Sequence, residues 1–257
     1  APAVAVRRSF YADFAAWLAG RGLPVLTLDY RGTGGSRPDD LTALHADLFD
    51  VARRDLPAAL DWLEARHPGV PLAFVGHSLG AQLFGLMPHP GRVDRLLTVT
   101  GGSGHWRLWP APHRWLLAAL WWIGMPALTA VFGRFPSRMV GLGDDLPPGI
   151  ARNWARWCRH RGYVVDHEGQ PVREGYREFR GAVRAYSFAD DVLGPRRAVE
   201  ELLGWFEGAE VEHRHLAPAE LGRDEVGHFG FFRSPSEANL WPEAAAWLAG
   251  EGAGARR

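Results

Sequence analysis

Leu72-Ala73-Phe74-Val75-Gly76-His77-Ser78-Leu79-Gly80-Ala81 is the stretch on which the reading of this chain turns. Residues 72–75 form a short apolar run of strand type, and a helical pattern begins at Ala81, so Ser78 stands on the turn between a strand and a helix. Gly76-His77-Ser78-Leu79-Gly80 fits the pattern G-x-S-x-G. The glycines let main chains pass where a Cβ would clash, and the sharp turn projects the serine hydroxyl into an open site. The following helix aims its N-terminus at the same point, so negative charge developing there meets main-chain N–H groups, that of Leu79 first. Five residues match by chance easily in a chain with 31 glycines; the strand before and the helix after make this match specific.

Working outward, the short apolar runs at 25–28 and 96–100 and the short segments at 184–188 and 211–216 read as further strands. Helical spacing of apolar residues covers 9–20, which stops at Gly20, and 47–66, which Pro57 is expected to bend. Strands alternating with helices indicate a mostly parallel sheet covered on both faces. Asp29-Tyr30-Arg31-Gly32-Thr33-Gly34-Gly35-Ser36 follows the first run. Position 37 is Arg, so the dinucleotide pattern G-x-G-x-x-G is not met and a tight structural turn is expected.

Residues 104–180 break the alternation and hold seven of the 12 tryptophans, among them Trp106 and Trp109. Residues 115–132 carry no charge and are long enough to cross a membrane, but Gly124 and Pro126 interrupt them. The expected structure is a helical hairpin lying over the sheet, with no stable membrane insertion, as a Trp-rich cap that lines an apolar pocket. The expected layout is a core of residues 1–103 and 181–249, a cap of residues 104–180, and a disordered tail of residues 250–257.

A serine hydroxyl needs a base, and the base needs a carboxylate to orient it. After a nucleophile elbow the chain order is serine, acid, histidine. Of the 11 histidines, His228 in Gly227-His228-Phe229-Gly230 lies after the last strand, among small residues without periodicity, as a loop base should. The acid is expected after the strand at 184–188, where Asp190 and Asp191 compete. His213 and His215 alternate on one strand face; no third ligand accompanies them, so no metal site is expected.

Tyr30-Arg31-Gly32-x-Gly34-x-Ser36, the Gly-His-Ser-Leu-Gly elbow, the Asp190-Asp191 turn and Gly227-His228-Phe229-Gly230 together resemble the α/β-hydrolases. They are most similar to bacterial hydrolases of the serine aminopeptidase-like and lysophospholipase-like group. The resemblance extends over nearly the whole chain. It implies the α/β-hydrolase fold and a triad of Ser78, His228 and an acid. Related hydrolases often show Asp followed four residues later by Pro, and Pro195 then favours Asp191, with Asp190 as the alternative. The resemblance also implies that residues 1–6 are the end of a third strand and its loop, so that the leading strands are missing. Ala5 stands where the family has glycine, and the second oxyanion N–H is expected from Val4 or Ala5. His77, Trp106, Trp109 and Phe229 are candidate pocket residues. Arg7, Arg8 and Tyr11 are expected to make only surface contacts near the mouth.

The 257 residues are 47% hydrophobic, enough for one sizeable core. The formal net charge is +0, and all 29 cationic residues are Arg; no basic surplus points to nucleic acid and no charge block to an anionic membrane. The single cysteine, Cys158, allows no internal disulfide. No cationic, apolar leader opens the sequence, which points to the cytoplasm. The expected activity is hydrolysis of a small carboxylic ester with an apolar part through an acyl-enzyme, without cofactor or metal. An acyltransferase, an amidase or peptidase, and an idle triad in a ligand-binding protein are the alternatives. The sequence does not determine oligomeric state.

Overall fold

The computed structural model describes residues 1–251. Four parallel strands form the sheet in spatial order β1-β2-β3-β4: Ala73–His77, Arg95–Val99, Ala182–Phe188 and Glu210–Leu216. The register pairs His77 with Val99, Val99 with Tyr186, and Phe188 with Leu216. Successive side chains point to opposite faces of a strand. Leu96, Val183 and Ala185 therefore join a buried cluster with Leu83, Phe84 and Val199 on one face. Leu97, Val99, Tyr186 and Phe188 join Phe14, Leu18, Phe231 and Trp241 on the other. The helices Ala12–Ala19 and Leu240–Leu248 cover this second face. All four strands end on the same edge, so the loops that follow them converge there, where ligands bind in open α/β sheets.

The apolar run at 25–28 is extended but belongs to no strand, because a ladder needs a partner and none lies beside it among the described residues. The free edge of β1 is instead met by Ala1, whose amino group donates to the Val75 carbonyl at 2.7 Å and whose carbonyl accepts from His77 N–H at 3.0 Å. Residues 48–66 are helical, with a π turn over Val51–Asp55 just ahead of Pro57. The wider turn accommodates a ring that would otherwise clash with the preceding turn.

The same device changes the expected hairpin. His113–Phe132 is one continuous helix, not two, with a π turn over Leu120–Gly124 ahead of Pro126. Trp121 and Met125 share the buried cluster of Leu48 and Phe84, so the segment between β2 and β3 packs into the main core. The helix Pro148–Arg159 completes that packing through Ile150, Ala155 and Trp157. The expected tail falls, from residue 252 on, outside the described residues; Gly250 and Glu251 form a turn.

Candidate active site

Ser78 has φ 50 and ψ −111, a conformation non-glycine residues rarely hold, at the junction of β1 and the helix Leu79–Leu83. The elbow requires its glycines. A Cβ on Gly76 would lie 2.6 Å from the Ala81 main chain. One on Gly80 would come within hard contact of the Ala1 carbonyl. Leu79 is the first residue of the helix, so its N–H has no partner within the helix and faces the serine's surroundings.

His228 Nδ1 donates to Asp191 Oδ2 at 2.8 Å, and the Asp191 side chain is fully buried. The other oxygen, Asp191 Oδ1, accepts the N–H groups of Leu193 at 2.8 Å and Gly194 at 3.0 Å. Both oxygens of this buried side chain thus have hydrogen-bond partners. Asp190 does not touch the imidazole. Its Oδ2 accepts from Val226 N–H at 2.8 Å and Gly227 N–H at 3.0 Å, and so anchors the loop that carries His228. Ser78 and His228 line one cavity, and among the described residues no hydrogen bond joins them in this unliganded structure.

Residues 3–6 form a turn closed by Val6 N–H to the Ala3 carbonyl at 3.2 Å, with Ala5 at φ 61. That is the third position of a type II turn, which glycine usually fills. Ala3 and Val4 line the cavity and Ala5 does not, because the turn directs it toward Asp144, whose N–H donates to the Ala5 carbonyl at 2.8 Å. Ala3 N–H is already bound to the Tyr11 hydroxyl at 2.8 Å, which leaves Val4 as the cavity-lining residue of this turn whose N–H has no partner among the described residues. The cavity encloses about 330 Å³ and is mostly apolar; its walls include Leu117, Leu120, Trp121, Trp154, Val192 and Leu193. Trp109 and Phe229 line it. His77 and Trp106 do not: His77 is buried beneath the elbow, and Trp106 packs against Trp115 and Trp122.

Residues 6–134, half of the chain, match the protein family described as "Serine aminopeptidase, S33". The chain belongs to this family of α/β-hydrolases. Solved structures share its fold. An esterase from Exiguobacterium antarcticum is 15% identical with a TM-score of 0.60, over 96% of this chain and 90% of that one. A monoacylglycerol lipase from Paleococcus ferrophilus is 11% identical with a TM-score of 0.59, over 96% and 91%. Est816, described as an N-acyl homoserine lactone degrading enzyme, is 18% identical with a TM-score of 0.59, over 94% and 90%. No curated protein matches the sequence.

Several residues of this α/β-hydrolase have structural partners that its sequence did not announce. Tyr11 is buried, not a surface contact, and its hydroxyl lies 2.7 Å from His77 Nδ1. His77 Nε2 lies 2.9 Å from the His228 carbonyl, which only accepts, so Nε2 carries the proton and Nδ1 accepts from Tyr11. Burial holds His77 well below the usual histidine range, which keeps it neutral. Arg7 makes a bidentate pair with Asp144 at 2.7 and 2.8 Å, Arg138 adds a third contact at 2.7 Å, and Gly34 N–H a fourth at 3.0 Å. The Arg7 hydrogen bond foremost holds the Asp144 carboxyl well below the usual carboxylate range. The glycine turn after residue 29 is therefore a strut of the 3–6 turn.

At the far end of the cavity, Tyr163 donates to Gln82 Oε1 at 2.7 Å, and Gln82 Nε2 donates to the Gly102 carbonyl at 2.7 Å. Cys158 also lines the cavity, and burial pushes its thiol well up, away from thiolate chemistry. His213 and His215 both contact Ser187 Oγ, at 2.7 and 2.8 Å, across the β3–β4 edge and away from Ser78. The one signal that could have exposed Asp144 was the Asp144-Asp145 pair, two buried acids in a loop rich in Gly and Pro.

Proposed function

We propose that this α/β-hydrolase cleaves a small carboxylic ester with an apolar part through an acyl-enzyme on Ser78. The observation that carries the reading is the 2.8 Å contact of His228 Nδ1 with Asp191 Oδ2, at a cavity that Ser78 also lines. With Nδ1–H committed to Asp191, Nε2 of His228 is left as the base. It takes the Ser78 proton as Oγ attacks the ester carbonyl carbon. The oxyanion of the tetrahedral intermediate accepts from Leu79 N–H and Val4 N–H. His228 then protonates the leaving alkoxide, which departs as the alcohol. In the second half-reaction it takes a proton from water, which attacks the acyl carbon, and hands that proton to Ser78 Oγ as the Oγ–acyl bond breaks and the carboxylic acid leaves. Asp191 orients the imidazole and stabilises its cation without taking the proton.

Residues 104–180 act as the cap, and the apolar walls from Trp121 and Trp154 favour an acyl or alcohol chain over a polar group. The esterase and lipase names among the structural neighbours support the ester class. The test is hydrolysis of p-nitrophenyl esters from acetate to laurate beside the matching anilides. Ester cleavage by wild type, lost in Ser78→Ala, supports the reading. Anilide cleavage at comparable kcat/KM would assign an amidase instead.

A further inference from the structure

The helix His113–Phe132 buries one stripe, half-buries the residues beside it and exposes its outer side. Trp121, Met125 and Thr129, four residues apart, are its buried positions, and Trp121 packs on Trp154 with ring centroids 4.9 Å apart. On the outer side Trp115 is 62% exposed, Ile123 68% and Val131 76%, with Leu116 and Trp122 beside them. No charged residue occurs from 115 to 132. A soluble monomer rarely exposes so continuous an apolar face without a use for it.

The face is continuous with the mouth of the Ser78 cavity. Leu116 is exposed and also lines the cavity. Across the opening, Val192 and Leu193 are likewise exposed and cavity-lining. The apolar rim therefore surrounds the access route on both sides.

We propose that this face is a phospholipid-binding surface, on which the protein rests with the cavity mouth against the lipid. The proposal rests on the reading of the cavity as the site for an apolar ester. The helix lies in the plane of the surface and does not cross it. Its length of about 30 Å would suffice to cross, but the Trp121–Met125–Thr129 stripe ties its second half to the core. Trp115 and Trp122 have the amphipathic rings that favour the headgroup level. Exposed Arg107, in the turn before the helix and over the Trp106 ring, makes no salt bridge among the described residues and adds a positive charge beside the tryptophans. A second copy of the chain on this face would cover the mouth and block substrate, whereas a lipid surface would supply it.

The test is co-sedimentation with vesicles of phosphatidylcholine, alone and mixed with phosphatidylglycerol, using wild type, Ser78→Ala and the double variant I123E/V131E. Wild type and Ser78→Ala are expected to pellet alike with a blue shift of tryptophan emission. I123E/V131E is expected to bind at least about tenfold more weakly, since two exposed apolar side chains lose their lipid contact. It should still hydrolyse a soluble short-chain ester as wild type does, because neither residue lines the cavity. The proposal is overturned if wild type stays in the supernatant with both vesicle types, or if I123E/V131E binds as tightly as wild type. A dimer abolished by I123E/V131E, without vesicle binding, would assign the face to a second copy and also overturn it. Vesicle binding with no ester hydrolysis would leave the surface standing and remove the ester reading instead.

Discussion

His77 donates through Nε2 to the main-chain carbonyl of His228 at 2.9 Å, so the residue before Ser78 holds the loop that carries His228. Because burial keeps His77 neutral, its folded pKa is below the unfolded value of about 6.5. The unfolded chain then binds more protons below that value, and the stability His77 contributes is complete above it and lost as pH falls. Thermal melts of wild type should fall between pH 7 and 5. His77→Gln, which keeps a donor and an acceptor but does not titrate, should show a shallower fall. Equal slopes would remove His77 from the account of acid sensitivity.

Tyr11 links the same histidine to the turn at residues 3–6, through its bonds to His77 Nδ1 and Ala3 N–H. Tyr11→Phe leaves both groups buried without a partner, at a cost of about 1–3 kcal/mol in stability. Loosening the Val4 turn should lower kcat for a soluble ester more than it raises KM. A variant that melts lower but keeps full kcat would show that the link is structural only.

Asp190 and Asp191 have separable duties. Asp191→Asn leaves a side chain that no longer fixes the His228 tautomer, and kcat should fall by about 10⁴-fold with little change in melting temperature. Asp190→Ala strands the N–H groups of Val226 and Gly227, so stability should drop by about 1–3 kcal/mol while kcat falls far less. Steady-state kinetics paired with urea melts checks both. The reverse pattern would exchange their roles.

Asp144 ties Arg7, Arg138 and the Gly34 turn to the loop beside Val4. Its carboxyl titrates below its unfolded value near 4, so the stability it adds is complete above about pH 4 and lost as pH falls further. Both arginines are half exposed, and screening limits the contribution to about 1 kcal/mol. Asp144→Asn should therefore be less stable than wild type at pH 7, and the difference should shrink toward pH 3. A constant difference from pH 7 to 3 would contradict the assignment.

How far the sequence could be read depended on whether chemistry or tertiary packing fixes a position. That Ser78 and His228 would line one cavity, with Asp191 against His228, was legible because nucleophile chemistry dictates residue types and their order. The four strands were legible as short segments alternating with helical ones, whereas the apolar run at 25–28 looks alike and has no ladder partner among the described residues. Gly124 and Pro126 suggested a break in the helix, but a π turn absorbs Pro126, as another absorbs Pro57. Tyr11 was assigned only a surface contact, and Asp144, Gln82 and Tyr163 escaped notice, because their partners lie up to 137 residues away, beyond any local pattern.

The central claim is that Ser78 is the nucleophile. Labelling of folded protein with a fluorophosphonate probe, followed by mass mapping of the modified peptide, tests it most directly. The account predicts one adduct, on Ser78, formed rapidly by wild type, slowly by Asp191→Asn and not at all by Ser78→Ala. Labelling of Ser78→Ala at the wild-type rate, or folded wild type that takes no label, would contradict it.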